Sequence, residues 1–256
     1  MTTQFTTSPD QVHVAYEVHG GGSSRQDWIK GGYVERLMRE FTVITVDLRG
    51  HGESDKPLDP SNYSTKKMCQ DFHAVADACG VERFSLCGYS FGGNIGRYLA
   101  ASSERVEKFV MIGSSFGPGV SGAFRQLVLD FRERWAPEVH SLMGDPPEGK
   151  WDPKLLSQQD QEDASQLSFP GELIPVVMVW SSAMLDWEVV GPREIRCPAV
   201  WLFGTGNDSA MKSYHRYTAD LPGSKVQVRM LENYDHFQEF SLIDRFLPAW
   251  LEFLRK

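Results

Sequence analysis

Five residues, Gly88-Tyr89-Ser90-Phe91-Gly92, restrict this chain more than any other stretch of it. A short apolar run, Phe84-Ser85-Leu86-Cys87, leads in, and a helix-like segment, Asn94 to Ala100, leads out. G-x-S-x-G between a strand and a helix is the pattern of a nucleophile elbow. The turn is too tight for side chains at its flanks, so both flanking positions need glycine. The serine hydroxyl is lifted clear of the backbone. The first amides of the helix point to where an oxyanion would form.

A strand–turn–helix unit of this kind belongs in an α/β protein, and the rest of the chain reads the same way. Phe41 to Asp47 is a buried-strand pattern that ends in a turn-rich loop, Leu48 to Ser54. Ser64 caps a helix whose apolar set is Met68, Phe72, Val75 and Cys79, and Gly80 stands where a helix C-terminal glycine belongs. Phe109 to Gly113, Pro198 to Gly204 and Val226 to Met230 are further strands, and Ile243 to Leu254 is an amphipathic terminal helix. Strands alternating with helices imply a mainly parallel sheet covered on both faces.

Residues 118–190 interrupt the alternation. They hold four of the seven tryptophans, Trp135, Trp151, Trp180 and Trp187. Phe124, Leu127, Val128, Phe131 and Trp135 have helical spacing. The interruption follows a strand C-terminus, where ligand crevices form in such sheets. The expected organisation is a core of residues 1–117 and 191–256 with an inserted helical cap at 118–190; a pair of ordinary surface helices is the alternative.

A length of 256 residues suits one large domain with an insertion. The net charge of −8 and the lack of a basic run argue against a nucleic-acid partner. No apolar run of spanning length and no signal-peptide pattern is present, so no membrane partner and a cytoplasmic location are expected. Cys69, Cys79, Cys87 and Cys197 lack metal-ligand spacing with histidine and read as reduced, structural thiols. Neither a metal nor an organic cofactor is expected. Oligomeric state is not readable.

A serine hydroxyl needs a base within hydrogen-bond reach, and the base needs a carboxylate to orient it. For this elbow the chain order is serine, acid, histidine. His236 lies just past the last strand, and Asp208 just past the Trp201 strand, where the base and the acid should be. His13, His19, His51, His73, His140 and His215 are weaker candidates, read as turn, surface or insertion residues. Asp235 adjoins His236 and is poorly placed to orient the same ring. Glu232 and Glu239 read as solvated.

With these elements in view, the chain resembles an α/β-hydrolase-fold serine hydrolase with a helical cap. The matching residues are His19-Gly20-Gly21, Asp47 to Ser54, the Ser90 elbow, Asp208, and Asp235-His236-Phe237. The resemblance implies Ser90 as nucleophile, His236 as base and Asp208 as acid, with an oxyanion hole from the amides of Phe91 and Gly21. Related dehalogenases and epoxide hydrolases carry aspartate at the elbow, and Ser90 argues against both. The implied activity is cleavage of a small, fairly apolar carboxylic ester through an acyl-serine intermediate. Lactone, amide or C–C bond cleavage, or a receptor-like member with little turnover, are the alternatives.

One departure stands out. In the family the His-Gly pair ends a long apolar central strand that follows a separate hairpin. Here Gln11 to Val18 precedes it and alternates apolar with polar, as a half-exposed antiparallel strand does. The N-terminal strands read as reduced. The expectation is a strand over 11–18 joined to the sheet, either outermost with a gap or central and strained.

Overall fold

The computed structural model describes residues 14–18, 20–134 and 174–256. Its strands are β1 (Val14–Val18), β2 (Thr42–Val46), β3 (Phe84–Tyr89), β4 (Val106–Ile112), β5 (Ala199–Gly204) and β6 (Val226–Leu231). They form one sheet in the order β2-β1-β3-β4-β5-β6. Every pairing between these strands is parallel. The helices are α1 (Arg25–Lys30), α2 (Tyr33–Leu37), α3 (Thr65–Ala78), α4 (Phe91–Ser102), α5 (Gly122–Arg134), α6 (Ile174–Met184), α7 (Asp208–Tyr217), α8 (Gln238–Ser241) and α9 (Ile243–Arg255).

The strand sequences explain why the sheet is covered twice. Side chains alternate across a strand, so a strand buried on both faces must be apolar at every position. Trp201 and Phe203 of β5 pack into one cluster with Phe72 of α3, Ile95 and Leu99 of α4, and Val177 and Trp180 of α6. Val200 and Leu202 pack on the other face with Trp28, Tyr33, Phe246 and Trp250 from α1, α2 and α9. The buried stripe of α3 is Met68, Cys69, Phe72 and Ala76, with Val75 and Cys79 partly buried beside it. Ser64 caps that helix through the Lys67 amide, and Gly80 follows it at φ +67°.

The N-terminal segment takes an interior position, second from the edge of the sheet. Val14–Val18 pairs with β2 on one side and with β3 on the other, in continuous register with both. The sheet therefore closes without a gap beside β3, and the outermost-strand alternative does not hold. Residues 11–13 lie outside the described residues. The parallel neighbours decide the placement: β2 and β3 each present an unpaired edge at sheet spacing, and a strand between them satisfies both.

At the end of β3 the chain turns sharply into α4. Ser90 has φ +53° and ψ −115°, a strained conformation for a residue with a side chain; such residues cost of order 1–3 kcal/mol each. The surrounding contacts impose it. A Cβ on Gly88 would sit 2.5 Å from the carbonyl carbon of Gly92, so the strand and the first turn of the helix meet backbone to backbone. Both the glycine requirement and the projecting serine follow from that approach.

Candidate active site

Ser90 stands at the C-terminal edge of the sheet, on the side to which the loops after β4, β5 and β6 also turn. The loop after β6 carries His236, whose Nε2 lies 3.0 Å from Ser90 Oγ. Asp235 sets the loop's course. Its carboxylate accepts the amides of Phe237 and Gln238 and so starts the short helix α8. Tyr89, the residue before the serine, donates its hydroxyl to the His236 carbonyl at 2.7 Å, and its ring stacks on the imidazole 5.1 Å away. Burial pushes the Tyr89 phenol above its ordinary value, and nearby Glu239 adds to the effect, so it remains a neutral donor. The imidazole is thereby held at two points, through the His236 backbone and by its face.

The far nitrogen of the ring meets a carboxylate that the sequence reading set aside. His236 Nδ1 lies 3.0 Å from Glu239 Oε2. Glu239 is fully buried, at 0% exposure, not solvated. Its second oxygen accepts the Gly204 amide at 2.7 Å. Asn207 Nδ2 lies 3.0 Å from both of its oxygens. A buried carboxylate is tolerable only when its lone pairs are filled in this way.

Asp208 does not meet His236. It is exposed, in the first turn of α7. The residue that turns inward after β5 is Asn207, which caps α7 by accepting the Ala210 amide on its side-chain oxygen. Position 207 faces the ring and position 208 faces solvent, because consecutive residues at a helix start point in different directions. Glu239 reaches the ring by a different route. The Glu239 amide bonds the Asp235 carbonyl, so residues 235–239 make one helical turn. Residues three apart on such a turn share a face. A glutamate three residues after the candidate base, at a helix start, was the available signal.

Gly113 makes room for this carboxylate. It follows β4 at φ +60°, and a Cβ there would lie 2.2 Å from Glu239 Oε2 and 3.1 Å from His236 Nδ1. Gly113→Ala is therefore expected to displace the carboxylate from the imidazole. Misplacement by about 1 Å can cost on the order of 10²-fold in rate. Initial-rate kinetics on a Gly113→Ala chain whose circular dichroism matches the parent check this.

Gly20 and Gly21 approach the serine from β1. A Cβ on Gly20 would lie 3.4 Å from Ser90 Cβ, and one on Gly21 3.6 Å from Phe91 Cβ. Their loop is pinned from outside. Asp47, at the end of β2, accepts the Arg25 amide at 2.7 Å and pairs with the Arg25 guanidinium, which also pairs with Glu53. Phe91 opens α4, so its amide lies at the positive end of the helix. The two residues expected to supply an oxyanion hole are thus neighbours at Ser90.

The described ends of the insertion are α5 and α6 with the segments that join them to β4 and β5. Trp180 of α6 packs over this corner, with ring centroids 4.5 Å from Phe91 and 5.5 Å from His51. Trp187 lies 6.1 Å from Phe91. The two crossings of the insertion are joined by a bridge between Gly117 and Val190. Both are tied to α4: buried Arg97 donates to the Ser115 and Pro118 carbonyls, Asn94 to the Gly119 carbonyl, and Tyr98 to the Glu188 carbonyl. The side chains of Trp135 and Trp151, and the middle of 118–190, lie outside the described residues, as do His13, His19 and His140. His51 is buried, with Nδ1 3.1 Å from the Arg49 carbonyl. His73 and His215 sit on helices away from Ser90. Among the described residues, no group of three or more His, Cys, Asp or Glu is arranged around a common metal position.

A family described as the alpha/beta hydrolase fold matches residues 18–144, which include the elbow and the Asp47 loop. The chain has the alpha/beta hydrolase fold. Solved members of similar shape span the whole of it. MenH from S. aureus superposes with a TM-score of 0.72 at 18% identity, covering 100% of this chain and 98% of that one. A thermophilic esterase from Thermogutta terrifontis superposes at 0.69 with 21% identity, covering 99% and 92%. Identities this low speak for the fold alone. Among curated relatives, a fluoroacetate dehalogenase from Burkholderia sp. is 36% identical over 86 residues, 32% of this chain and 28% of that protein. The chain spans less than half the length of several curated relatives that it matches. Among the described residues, no helix is long and apolar enough to cross a membrane.

Proposed function

We propose that this chain is a serine hydrolase that cleaves a small, fairly apolar carboxylic ester through an acyl-serine intermediate. The observation that carries the reading is the relay from Ser90 to His236 to Glu239, with 3.0 Å at each step. Ser90 Oγ attacks the ester carbonyl carbon while His236 Nε2 takes its proton. Glu239 keeps the proton of His236 on Nδ1 and stabilises the imidazolium. The oxyanion is met by the amides of Phe91 and Gly21. Collapse expels the alcohol, which leaves with the proton from His236. Water then attacks the acyl-serine, with His236 as base again, and releases the acid.

Trp180, Trp187 and Phe91 support a small molecule with an apolar acyl or aryl part, covered by an inserted cap at 118–190. The serine at the elbow supports acyl transfer rather than the reaction named for the dehalogenase relative. Lactones, amides and C–C bonds flanked by carbonyls would draw on the same groups. The interior place of β1, paired on both sides, with Gly21 beside Phe91, supports turnover over a receptor-like role.

A fluorophosphonate probe tests the reading. The expected result is labelling of Ser90, located by peptide mass spectrometry, in a preparation that also turns over short-chain aryl esters. Labelling without turnover would support the receptor-like role, and neither labelling nor turnover would end the serine-hydrolase reading.

A further inference from the structure

Asn207 holds a position at His236 equivalent to that of the acid, yet it carries no charge. Its Nδ2 lies 3.2 Å from His236 Nδ1, against 3.0 Å for Glu239 Oε2. The orientation of the amide is settled by its other end. Oδ1 accepts the Ala210 amide at 3.1 Å as the cap of α7, which only an acceptor can do, so the NH2 group faces Glu239 and the imidazole.

We propose that Asn207 and Glu239 form one orienting unit with two seats for a single carboxylate. Glu239 fills the charged seat, and Asn207 is a positioning residue that must be neutral because that seat is filled. This rests on the hydrolase reading above. A carboxylate oxygen in place of Nδ2 would lie 3.0 Å from both oxygens of Glu239. Like charges at that distance cannot both stay ionised. The amide instead donates to the carboxylate and fixes its rotamer. The other groups facing the pair do not supply a competing charge. The Tyr89 phenol is held neutral, while Asp235 and Asp208 are exposed and turned outward.

Exchanging the two residues keeps the bonds to the Ala210 and Gly204 amides and to the imidazole, and gives up the long 3.4 Å bond from the 207 side chain to the Gly113 carbonyl. In Glu239→Gln/Asn207→Asp, the new carboxylate keeps one oxygen on the Ala210 amide, since aspartate caps a helix as well as asparagine. Its other oxygen turns to His236 Nδ1. The new amide at 239 keeps its oxygen on the Gly204 amide and donates its NH2 to the carboxylate at 207.

The test compares the parent, each single variant and the double variant by pH–rate profile and by rate of fluorophosphonate labelling. Glu239→Gln alone is expected to lose on the order of 10²–10⁴-fold. The double variant should return to within about tenfold of the parent, with the downfield imidazole N–H proton signal restored. Asn207→Asp alone should show an added titration, from two carboxylates sharing a proton. A double variant no faster than Glu239→Gln, or one that does not fold, overturns the proposal. So does an Asn207→Asp profile that superimposes on the parent. If Glu239→Gln keeps full turnover while Ser90→Ala is inactive, the orienting unit falls and the hydrolase reading stands. If Ser90→Ala also keeps its turnover, the hydrolase reading falls with it.

Discussion

Replacing Ser90 with alanine is expected to lower ester turnover by roughly 10⁴–10⁶-fold and to abolish fluorophosphonate labelling. The size follows from what is lost. Without Oγ no acyl-enzyme forms, and His236 Nε2 has no proton to take. Whatever rate remains comes from binding and the helix-end amides, which alone retain on the order of 10³–10⁴-fold over water. The variant should also fold at least as well as the parent. Ser90 is held at φ +53° by the close approach of Gly88 and Gly92, not by its hydroxyl. Alanine meets the same strain, so stability by denaturant unfolding should change little while turnover collapses. Unchanged turnover in this variant would show that the 3.0 Å contact between Ser90 and His236 has no part in the chemistry.

The second large effect separates two acids. Glu239→Gln should cost on the order of 10²–10⁴-fold in turnover, whereas Asp208→Asn should leave it within about twofold. A glutamine of the same shape preserves the packing around a fully buried side chain. It removes the charge that stabilises the imidazolium, and its NH2 group can present a donor to a nitrogen that must itself donate. Asp208 is exposed and takes no part in a bond to His236. Its carboxylate in the first turn of α7 interacts with the helix dipole, an effect of about 0.3–1 kcal/mol on stability that leaves turnover untouched. Steady-state kinetics on both variants, with thermal unfolding as control, give the ranking. The reverse order would restore Asp208 as the acid and make the Glu239 contact structural.

These expectations divide between what local pattern could say and what it could not. The elbow at Ser90 was readable because its geometry is made within five residues. Gly88, Ser90 and Gly92 dictate the turn regardless of what packs around it. His236 was readable from its place after the last strand, since a loop at that sheet edge has few ways to avoid Ser90. The buried strands announced themselves for a similar reason. Trp201 and Phe203 pack on one face and Val200 and Leu202 on the other, so the run is apolar throughout.

Which carboxylate meets His236 was decided by tertiary structure. Asn207 and Asp208 are adjacent in sequence, and the orientation of one helix start turns the first inward and the second to water. Glu239 looks like a surface residue by type. It is buried because Asp235 starts a helical turn that carries it against the amides of Gly204 and Asn207, and because Gly113 leaves it space. The place of β1 was likewise not contained in residues 14–18. Their alternation suggests an exposed strand, but the pairing edges of β2 and β3 set the position in the sheet. Sequence alone determined the groups whose geometry is local, the elbow serine and the core strands that are apolar at every position. Groups whose role depends on the direction of a side chain across a packed interface were decided only when the sheet and its loops came together, because a rotation of one residue exchanges water for a buried partner.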